Sequence, residues 1–590
     1  MDAATLIADD LCRSAWPQPV EADRVDGQFE NSVSKRVNLT PLMNHLEKCG
    51  IQAKLTNGRD APLEAQLHDE GADVPALVIS PRSEWGVATT LTLLHGLELY
   101  GCPGLSISVK SGGHGYFNGA SCTGIMLDLS LMDKSSVEEN TLTLEPGCVL
   151  GQTMHTLAEH RKAVPHGDCF GVGAGGHFTT AGWDLILSRR YGLGCQSLIG
   201  GRIVLWDGSV LDVNDDNHPD LLHAMRGGAA AGVGVVVRLH LQLINEPKLA
   251  TWRCTPLSRD QFDICVEHGA FSKALALPRD ISLSFRFHIG PAEDETVCSL
   301  NIASLLPVEE TITHLRQHMG NAVTSLLSDS FGWSEKSLTD LRMLPASEFL
   351  AQNPKMLAEV SSARLIEKPA TYWNESYLGE MRRSYLASAS HWVKPSCEHM
   401  LRGLYDALQA THDRPACGHI YAIAIVGGGR ITELQEKCSM PLGNTLIRVE
   451  AHGQTLEDRI WCQVITQKIS NIIKTAEDRA PGRPYRGDIW LPEQASDRKL
   501  DALLPPRPFE TLRNGNLIRK CCNSSTDPAL EAPETPMIPT TEPKLIAAPH
   551  AFPPLRSLGL RSRASTDDVV LCFVGLVVSA TAYCLGKILT

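Results

Sequence analysis

Between Pro75 and Leu243 the chain alternates short β-branched apolar runs with longer segments in which apolar residues recur every three or four positions. The runs "PALVISPRS", "LSISVKS", "GIMLDLS", "TLTLEPG", "GGRIVLWDGSVLDV" and "VGVVVRLHLQL" predict strands. "SEWGVATTLTLLHGLELYG" and "VLGQTMHTLAEHRKA" predict helices between them. The alternation continues from about residue 250 to about residue 500, where "HIYAIAIVGGGRI" and "NTLIRVEAHGQ" predict strands and "EDRIWCQVITQKISNIIKTAEDRA" predicts an amphipathic helix. Residues 1–70 are polar and mixed, with one helical pattern in "LTPLMNHLEKCG". No fixed-period repeat is present. "TDPALEAPETPMIPTTEPKLIAAPHAFPPLRS" is Pro-rich and without periodicity, which predicts a tether.

The last hydrophobic stretch is of another kind. "VVLCFVGLVVSATAYCLG", Val569 to Gly586, carries no charge, follows Asp567 and Asp568, and precedes Lys587. As a helix it would be about 27 Å long, close to the hydrocarbon thickness of a bilayer. A buried helix of a soluble domain is the alternative, but such a helix needs a polar face and this one hardly has any. The pattern predicts a C-terminal membrane helix serving as a tail anchor.

Composition narrows the function classes. A chain of 590 residues has room for two to four domains, and 43% apolar with 21% charged residues is ordinary for soluble globular protein. Acidic residues outnumber basic ones, 67 to 54, and no basic block occurs, so nucleic acid is not an expected partner. The 18 cysteines form no CxxC pair, which argues against a zinc ribbon or a disulfide scaffold and predicts buried reduced thiols. The opening "MDAATLIADDLCRSAWPQPV" carries acids and lacks the apolar core of a secretory signal. The expected location is therefore a membrane, with the folded domains facing the cytosol. The glycosylation-type triplets at Asn38, Asn374 and Asn523 then carry little weight.

Candidate chemistry gathers in three glycine clusters: "VKSGGHGY" around His114, "PHGDCFGVGAGGHFTTAGW" around Cys169, and "RGGAAAGVGVVV" from Arg226 to Val237. Glycines let backbone approach a ligand or adopt positive φ, and successive N–H groups in such turns form anion-binding nests. Each cluster alone also reads as an ordinary tight turn. The G-x-G-x-G-G spacing after Cys169 fails the Rossmann fingerprint, and no suitable acid follows. Three such turns within about 125 residues point to one extended phosphate-bearing cofactor lying across several loops.

These residues resemble the FAD-linked oxidases of the berberine-bridge-enzyme-like group, which carry the vanillyl-alcohol-oxidase type of flavin domain. The resemblance is dense in "PALVISPRSEWGVATTL", "VKSGGHGY", "GIMLDLSLMD", "LEPGCVLGQTMHTLAEH", "PHGDCFGVGAGGHF", "LSRRYGLGCQSLIGGRIVLWDGSVL" and "DNHPDLLHAMRGGAAAGVGVVV", in the family's order. It continues weakly through "VGGGRI" and "PYRGDIWLPE" to about residue 520. It implies an α+β fold: a two-subdomain FAD-binding module at 71–247, then a substrate domain at 248–484 with an antiparallel sheet and helices. A segment at 485–524 would return to the FAD module, followed by a linker at 525–566 and the tail at 567–590.

The resemblance also implies roles. Lys110, Ser111, Gly112, Gly113, His114 and Gly115 match the family's R-S-G-G-H-S motif, whose amides hold the pyrophosphate and whose histidine bonds to the flavin 8α-methyl. Cys169 matches the cysteine that bonds to the flavin 6-position in bicovalent members. Gly171, Val172, Gly173, Gly175 and Gly176 would line the same FAD, with Val235 and Val236 at its adenine end or ring. His177 beside this loop reads as structural. The implied reaction is hydride transfer from an alcohol, sugar or secondary metabolite to covalent FAD, with dioxygen as acceptor.

Departures stand beside these matches. "TTAGWDLI" replaces the family's G-G-G-Y-G, with Trp183 at the aromatic, and Gly232 and Val233 replace its Asn and Phe. The Y-x-N-Y pair, one of whose tyrosines helps deprotonate substrate, becomes "PYRGDIW", leaving Tyr485 and Asp488 as candidate catalytic groups. A carboxylate there would serve as a general base or stand as a solvated loop acid. The alternative reading is a membrane-tethered FAD-binding protein with lost or altered catalysis.

Overall fold

The computed structural model describes residues 38–56, 73–97, 99, 105–113, 120, 122–167, 171–230, 233–290, 295–327, 332–342, 385–393, 398–411, 415, 418–440, 442–453, 455–478 and 487–488. Three sheets organise them. The first subdomain holds helix α1 (Thr40–Lys48), strands β1 (Gln52–Leu55) and β2 (Leu77–Ser80), helix α2 (Glu84–Gly96), and strands β3 (Ile107–Lys110) and β4 (Ile125–Asp128). Its sheet runs β1-β2-β4-β3, with β2, β4 and β3 parallel and β1 antiparallel at the edge. Ser83 starts α2 by accepting the Gly86 N–H, so the turn after "VISP" is capped by its own sequence.

The second subdomain comprises β5 (Ser135–Glu138), β6 (Thr141–Leu144), α3 (Leu150–Glu159), β7 (Lys162–Ala163), α4 (Ala174–Thr180), α5 (Ser188–Tyr191), β8 (Leu198–Leu205), β9 (Val210–Asn214), α6 (Pro219–Met225), β10 (Gly234–Gln242) and β11 (Ile244–Asn245). Its antiparallel sheet has the order β5-β6-β10-β8-β9, and β7 pairs separately with β11. Strand β10 serves two cores. Val235 and Val237 pack into the first subdomain's core, while Val236, Leu239 and Leu241 pack into the second's. This is why "VGVVVRLHLQL" is apolar on both faces at its start.

The region from residue 250 on, expected from the sequence to be the substrate domain and called so below, is one eight-stranded antiparallel sheet with helices on one face. Its elements are β12 (Ala250–Leu257), α7 (Arg259–Glu267), β13 (Ile281–Ile289), β14 (Val297–Ser304), α8 (Val308–Met319), β15 (Trp333–Lys336), β16 (Tyr385–Val393), α9 (Glu398–Gln409), β17 (His419–Val426), β18 (Thr445–Gly453), α10 (Leu456–Asp478) and β19 (Gly487–Asp488). The strand order is β15-β12-β14-β13-β17-β18-β16-β19. The period-2 rule divides its faces. Ile281, Leu283, Phe285, Phe287 and Ile289 of β13 enter the helix-covered core with Ile420, Ala422, Ala424 and Val426 of β17 and Ile447, Val449 and Ala451 of β18. Helix α10 answers with Cys462, Ile465, Ile469 and Ile473, three or four residues apart. Ser258 and Gln261 form a reciprocal capping box at the start of α7.

The alternate residues of the same strands face the FAD module. Trp392, Tyr421, Ile423, Ile425 and Leu446 form a buried cluster with Leu193 and Cys195, and Ala181, Trp183 and Leu185 pack against it. The expected α+β architecture is thus present over the described residues. The tail at 569–586 lies outside them. Among the described residues no helix is long and apolar enough to cross a membrane.

Candidate active site

The first two glycine clusters meet. Strand β3 delivers Lys110, whose buried ammonium lies 2.9 Å from Asp128 Oδ1 at the matching position of β4. Lys110 therefore ties two strand ends together. The Ser111 hydroxyl donates to the Pro146 carbonyl. Gly112 then lies backbone to backbone against Gly173: a Cβ on Gly112 would stand 2.5 Å from Gly173 N, and one on Gly173 would stand 2.7 Å from Gly112 Cα. The second loop is stitched to residues 146–150. Leu150 N–H donates to the Val172 carbonyl (2.9 Å), Ala174 N–H to Cys148 (2.7 Å) and Gly175 N–H to Pro146 (3.0 Å). A Cβ on Gly175 would meet Pro146 Cβ at 2.8 Å.

This contact refines the reading of the glycines. Gly112, Gly173 and Gly175 are glycines because two loops press together there. Among the described glycines of these loops, Gly113 is half-buried at φ +69°, and Gly176 is exposed with no atom within 4 Å of an added Cβ, which leaves its backbone open toward a ligand. Gly171 is buried beneath the loop and Val172 half-buried. His114, Gly115 and Cys169 lie outside the described residues, as does Tyr485. Val235 and Val236, expected at the cofactor's adenine end or ring, are buried on strand β10. Their side chains belong to the two hydrophobic cores, because β10 sits between them.

Two buried polar atoms border this region without a hydrogen-bond partner among the described residues: His166 Nε2 and Trp183 Nε1. His166 Nδ1 donates to the Gly167 carbonyl at 2.6 Å, which leaves Nε2 as a lone-pair acceptor. Burial, helped by the Arg342 charge, pushes this imidazole well below the usual histidine range and keeps it neutral. His177 Nε2 accepts the Gly167 N–H at 3.0 Å, in keeping with its structural reading. Asp184 holds the next turn by accepting N–H groups of His166, Ile186 and Leu187 while pairing with buried Arg342. Two loops in backbone contact, open glycine backbone at their rim and unsatisfied buried polar atoms beside them fit an extended phosphate-bearing cofactor.

Sequence reasoning missed the polar rows of the large sheet. On the face turned to the FAD module, β18 presents Arg448, Glu450 and His452; β17 presents Tyr421; β13 presents Arg286. Glu450 is buried, pairs with Arg448, and lies 3.4 Å from His452 Nε2. Burial alone would raise its pKa, but the Arg448 charge and the His452 bond hold it below the ordinary carboxylate value. Glu450 is thus an ionised carboxylate in a desolvated place. Tyr421 stands opposite it in register, with a buried hydroxyl lacking a partner among the described residues. Arg286 lies over the Trp252 ring, 5.3 Å from its centroid, and Trp183 packs on Trp392 with centroids 5.3 Å apart. Asp488 pairs in register with His391, whose Nε2 meets Ser470 of α10 on the helix-covered side of the sheet. The signal for Glu450 was present: "RVEAH" puts three ionisable residues at alternate positions of an apolar strand.

Comparison with known proteins accords with this geometry. Residues 75–214 match the family model described as FAD binding domain. Glucooligosaccharide oxidase of Sarocladium strictum is 32% identical over 222 residues, which is 35% of this chain and 42% of that protein. Tetrahydroberberine oxidase of Berberis wilsoniae is 32% identical over 197 residues, 32% of this chain and 35% of that one. The chain therefore spans less than half the length of these relatives. The solved structure of Physcomitrella patens BBE-like 1 is 18% identical with a TM-score of 0.60, covering 80% of this chain and 95% of that one. A chitooligosaccharide oxidase structure gives 17% and 0.59, covering 79% and 94%. The chain is a protein with an FAD binding domain. It is similar to FAD-linked oxidases and berberine-bridge-enzyme-like proteins over about a third of its length, and the likeness of fold covers about 80% of the chain.

Proposed function

We propose that the chain is a flavin-dependent oxidoreductase that takes hydride from an alcohol, a sugar or a secondary metabolite, with dioxygen as the final acceptor. The observation that carries this reading is a buried, ionised Glu450 on the sheet face packed against the FAD module. FAD, when bound, supplies a two-electron acceptor for hydride. The backbone of residues 111–115 and 171–176 would hold it, and His114 and Cys169 would be the residues that tether it covalently. Glu450 accepts the substrate proton on a carboxylate oxygen, Arg448 keeps that oxygen ionised, and His452 orients it. The Tyr421 hydroxyl donates to a substrate oxygen. Trp183 and Trp392 keep water from the reacting bond. Glu450 precedes Asp488 and Tyr485 as the base because its carboxylate is both desolvated and ionised. That same feature favours the enzyme over a flavin-binding protein without turnover.

The test is a substrate panel, beginning with glucose oligosaccharides, chitooligosaccharides and tetrahydroberberine, under anaerobic conditions. Flavin bleaching by one of them, followed by peroxide on admitting air, supports the reading. Absence of bleaching across the panel in fully flavin-loaded protein favours the non-catalytic alternative. Acid precipitation tests the tether. Wild type should give a yellow pellet, His114→Ala and Cys169→Ala each a coloured pellet, and the double variant a colourless one. The uncharged run from Val569 to Gly586 supports a tail anchor that leaves the folded domains in the cytosol.

A further inference from the structure

We propose that Cys195 and Cys438 form a modification site, in which an oxidant of the peroxide class joins them in a disulfide that fastens the substrate domain to the FAD module. Cys195 follows α5 in the FAD module; Cys438 lies between β17 and β18 in the substrate domain. The two are 243 positions apart in sequence, yet their sulfurs are 3.9 Å apart in the buried interface between the domains. A disulfide would close that gap to about 2.05 Å.

The surroundings set the two sulfurs apart. Buried Arg226 has its Nη2 without a hydrogen-bond partner among the described residues, and its charge favours the thiolate at both cysteines. The hydrogen bond between them holds Cys438 below the usual thiol range, while the same bond and burial push Cys195 up. Cys438 is therefore the attacking sulfur and Cys195 the resolving one.

The chemistry balances. Cys438 thiolate attacks one peroxide oxygen; an S–O bond forms, the O–O bond breaks, and hydroxide leaves and is protonated. Cys195 then attacks the sulfenic sulfur; the S–S bond forms, the S–O bond breaks, and a second water leaves. Two thiols give up two electrons and hydrogen peroxide accepts them.

The position gives the bond a structural reach. A Cβ on Gly227 would stand 2.7 Å from Cys438 Sγ, and the Gly227 N–H donates to the Thr179 carbonyl at the end of α4. Helix α4 begins at the FAD loop itself. The disulfide would lock the domain interface one layer behind that loop.

The experiment uses full-length protein, added hydrogen peroxide, and alkylation before non-reducing tryptic mapping. The expected product links residues 191–202 to residues 438–448, lighter by two hydrogens than the two peptides together, and thiol reductant restores both. In Cys195→Ser the cross-link vanishes and a sulfenic-acid probe labels Cys438. In Cys438→Ser the cross-link vanishes and Cys195 stays unlabelled. The linked protein should melt about 5 °C or more above the reduced form, because a long loop has been closed. Persistence of both alkylatable thiols in wild type under peroxide overturns the proposal, as does labelling of Cys195 in preference to Cys438. Mapping of wild type alone decides the link if either variant fails to fold. The readout is mass rather than turnover, so it stands apart from the oxidoreductase reading.

Discussion

Two glycines three residues apart should respond in opposite ways to the same methyl group. Gly173 is pressed against the Gly112 backbone, with 2.7 Å from an added Cβ to Gly112 Cα, and Gly112 has no side chain that can rotate away. One loop must move, and it is hydrogen-bonded at Val172, Ala174 and Gly175. Overpacking of this kind costs up to about 3 kcal/mol, and backbone on both sides puts Gly173→Ala at the upper end. For a module of this size that is a fall of about 6–12 °C in melting temperature. Gly176 lies in helix α4, exposed, at a φ open to any residue, with nothing within 4 Å. Gly176→Ala should stabilise the flavin-free protein by about 0.5–1 kcal/mol through helix propensity.

The FAD-loaded form separates packing from binding. The open space over Gly176 is where the proposed cofactor approaches, so the methyl that helps the empty protein should hinder loading. The assay compares melting of both variants in a His114→Ala, Cys169→Ala background freed of flavin, then flavin stoichiometry of each single variant as purified. Gly173→Ala should be destabilised and poor in flavin; Gly176→Ala should be as stable as its parent or more so, yet poor in flavin. Wild-type stability of Gly173→Ala would refute the backbone contact. Full flavin content in Gly176→Ala would remove Gly176 from the cofactor's path.

Glu450→Gln should lower the rate of flavin reduction by about 10²-fold or more at every pH while flavin content stays unchanged, as read by anaerobic stopped flow. Arg448→Gln should instead move the acid limb of that rate upward by about 1–3 pH units, because burial then acts on Glu450 without its cation; an unmoved limb would exclude Arg448 from this role. His166 is held neutral in the folded protein, so the unfolded chain binds the extra proton: stability should fall as pH drops below about 6.5, and His166→Phe should flatten that slope in urea titrations. A version ending near Ser565 should leave the membrane fraction that full-length protein enters, and equal solubility of the two would remove the anchor.

Most strands and helices were legible because each satisfies a simple period. "LSISVKS", "GIMLDLS" and "VGVVVRLHLQL" became β3, β4 and β10, and the long amphipathic pattern after Thr455 became α10. The glycine clusters were legible as loops near one another, but not the reason for each glycine. Contact between Gly112 and Gly173 joins residues 61 positions apart, and no local pattern encodes which loop presses on which. Val235 and Val236 show the same limit. Consecutive β-branched residues do not reveal that they serve two cores, which follows only from the sheet order β6-β10-β8 between two subdomains. Glu450 was hidden differently. Its strand was recognised, yet an alternating R-x-E-x-H row usually faces water. Here it faces the FAD module because the helices cover the other side.

That second face explains how a weakly matched substrate domain can still be held in a defined position. Beside the Asp184–Arg342 pair and the shared apolar cluster, two side chains of the well-matched half fasten it by its main chain. Arg189, buried in α5, donates to the carbonyls of Ala274, Leu275 and Leu277 at 2.9, 3.3 and 2.9 Å. Gln196 donates to the carbonyls of Ile431 and Leu434 at 2.9 and 3.1 Å. Both address main-chain oxygens, which every residue type supplies. Changes of side chain at Ala274, Leu275, Leu277, Ile431 and Leu434 would therefore leave these five bonds their acceptors. Burial lowers the Arg189 pKa only to about 10, so the guanidinium remains charged at neutral pH and its bonds remain charge-assisted. Removing it would strand three carbonyls in a water-poor interface, which costs more than the bonds themselves contribute.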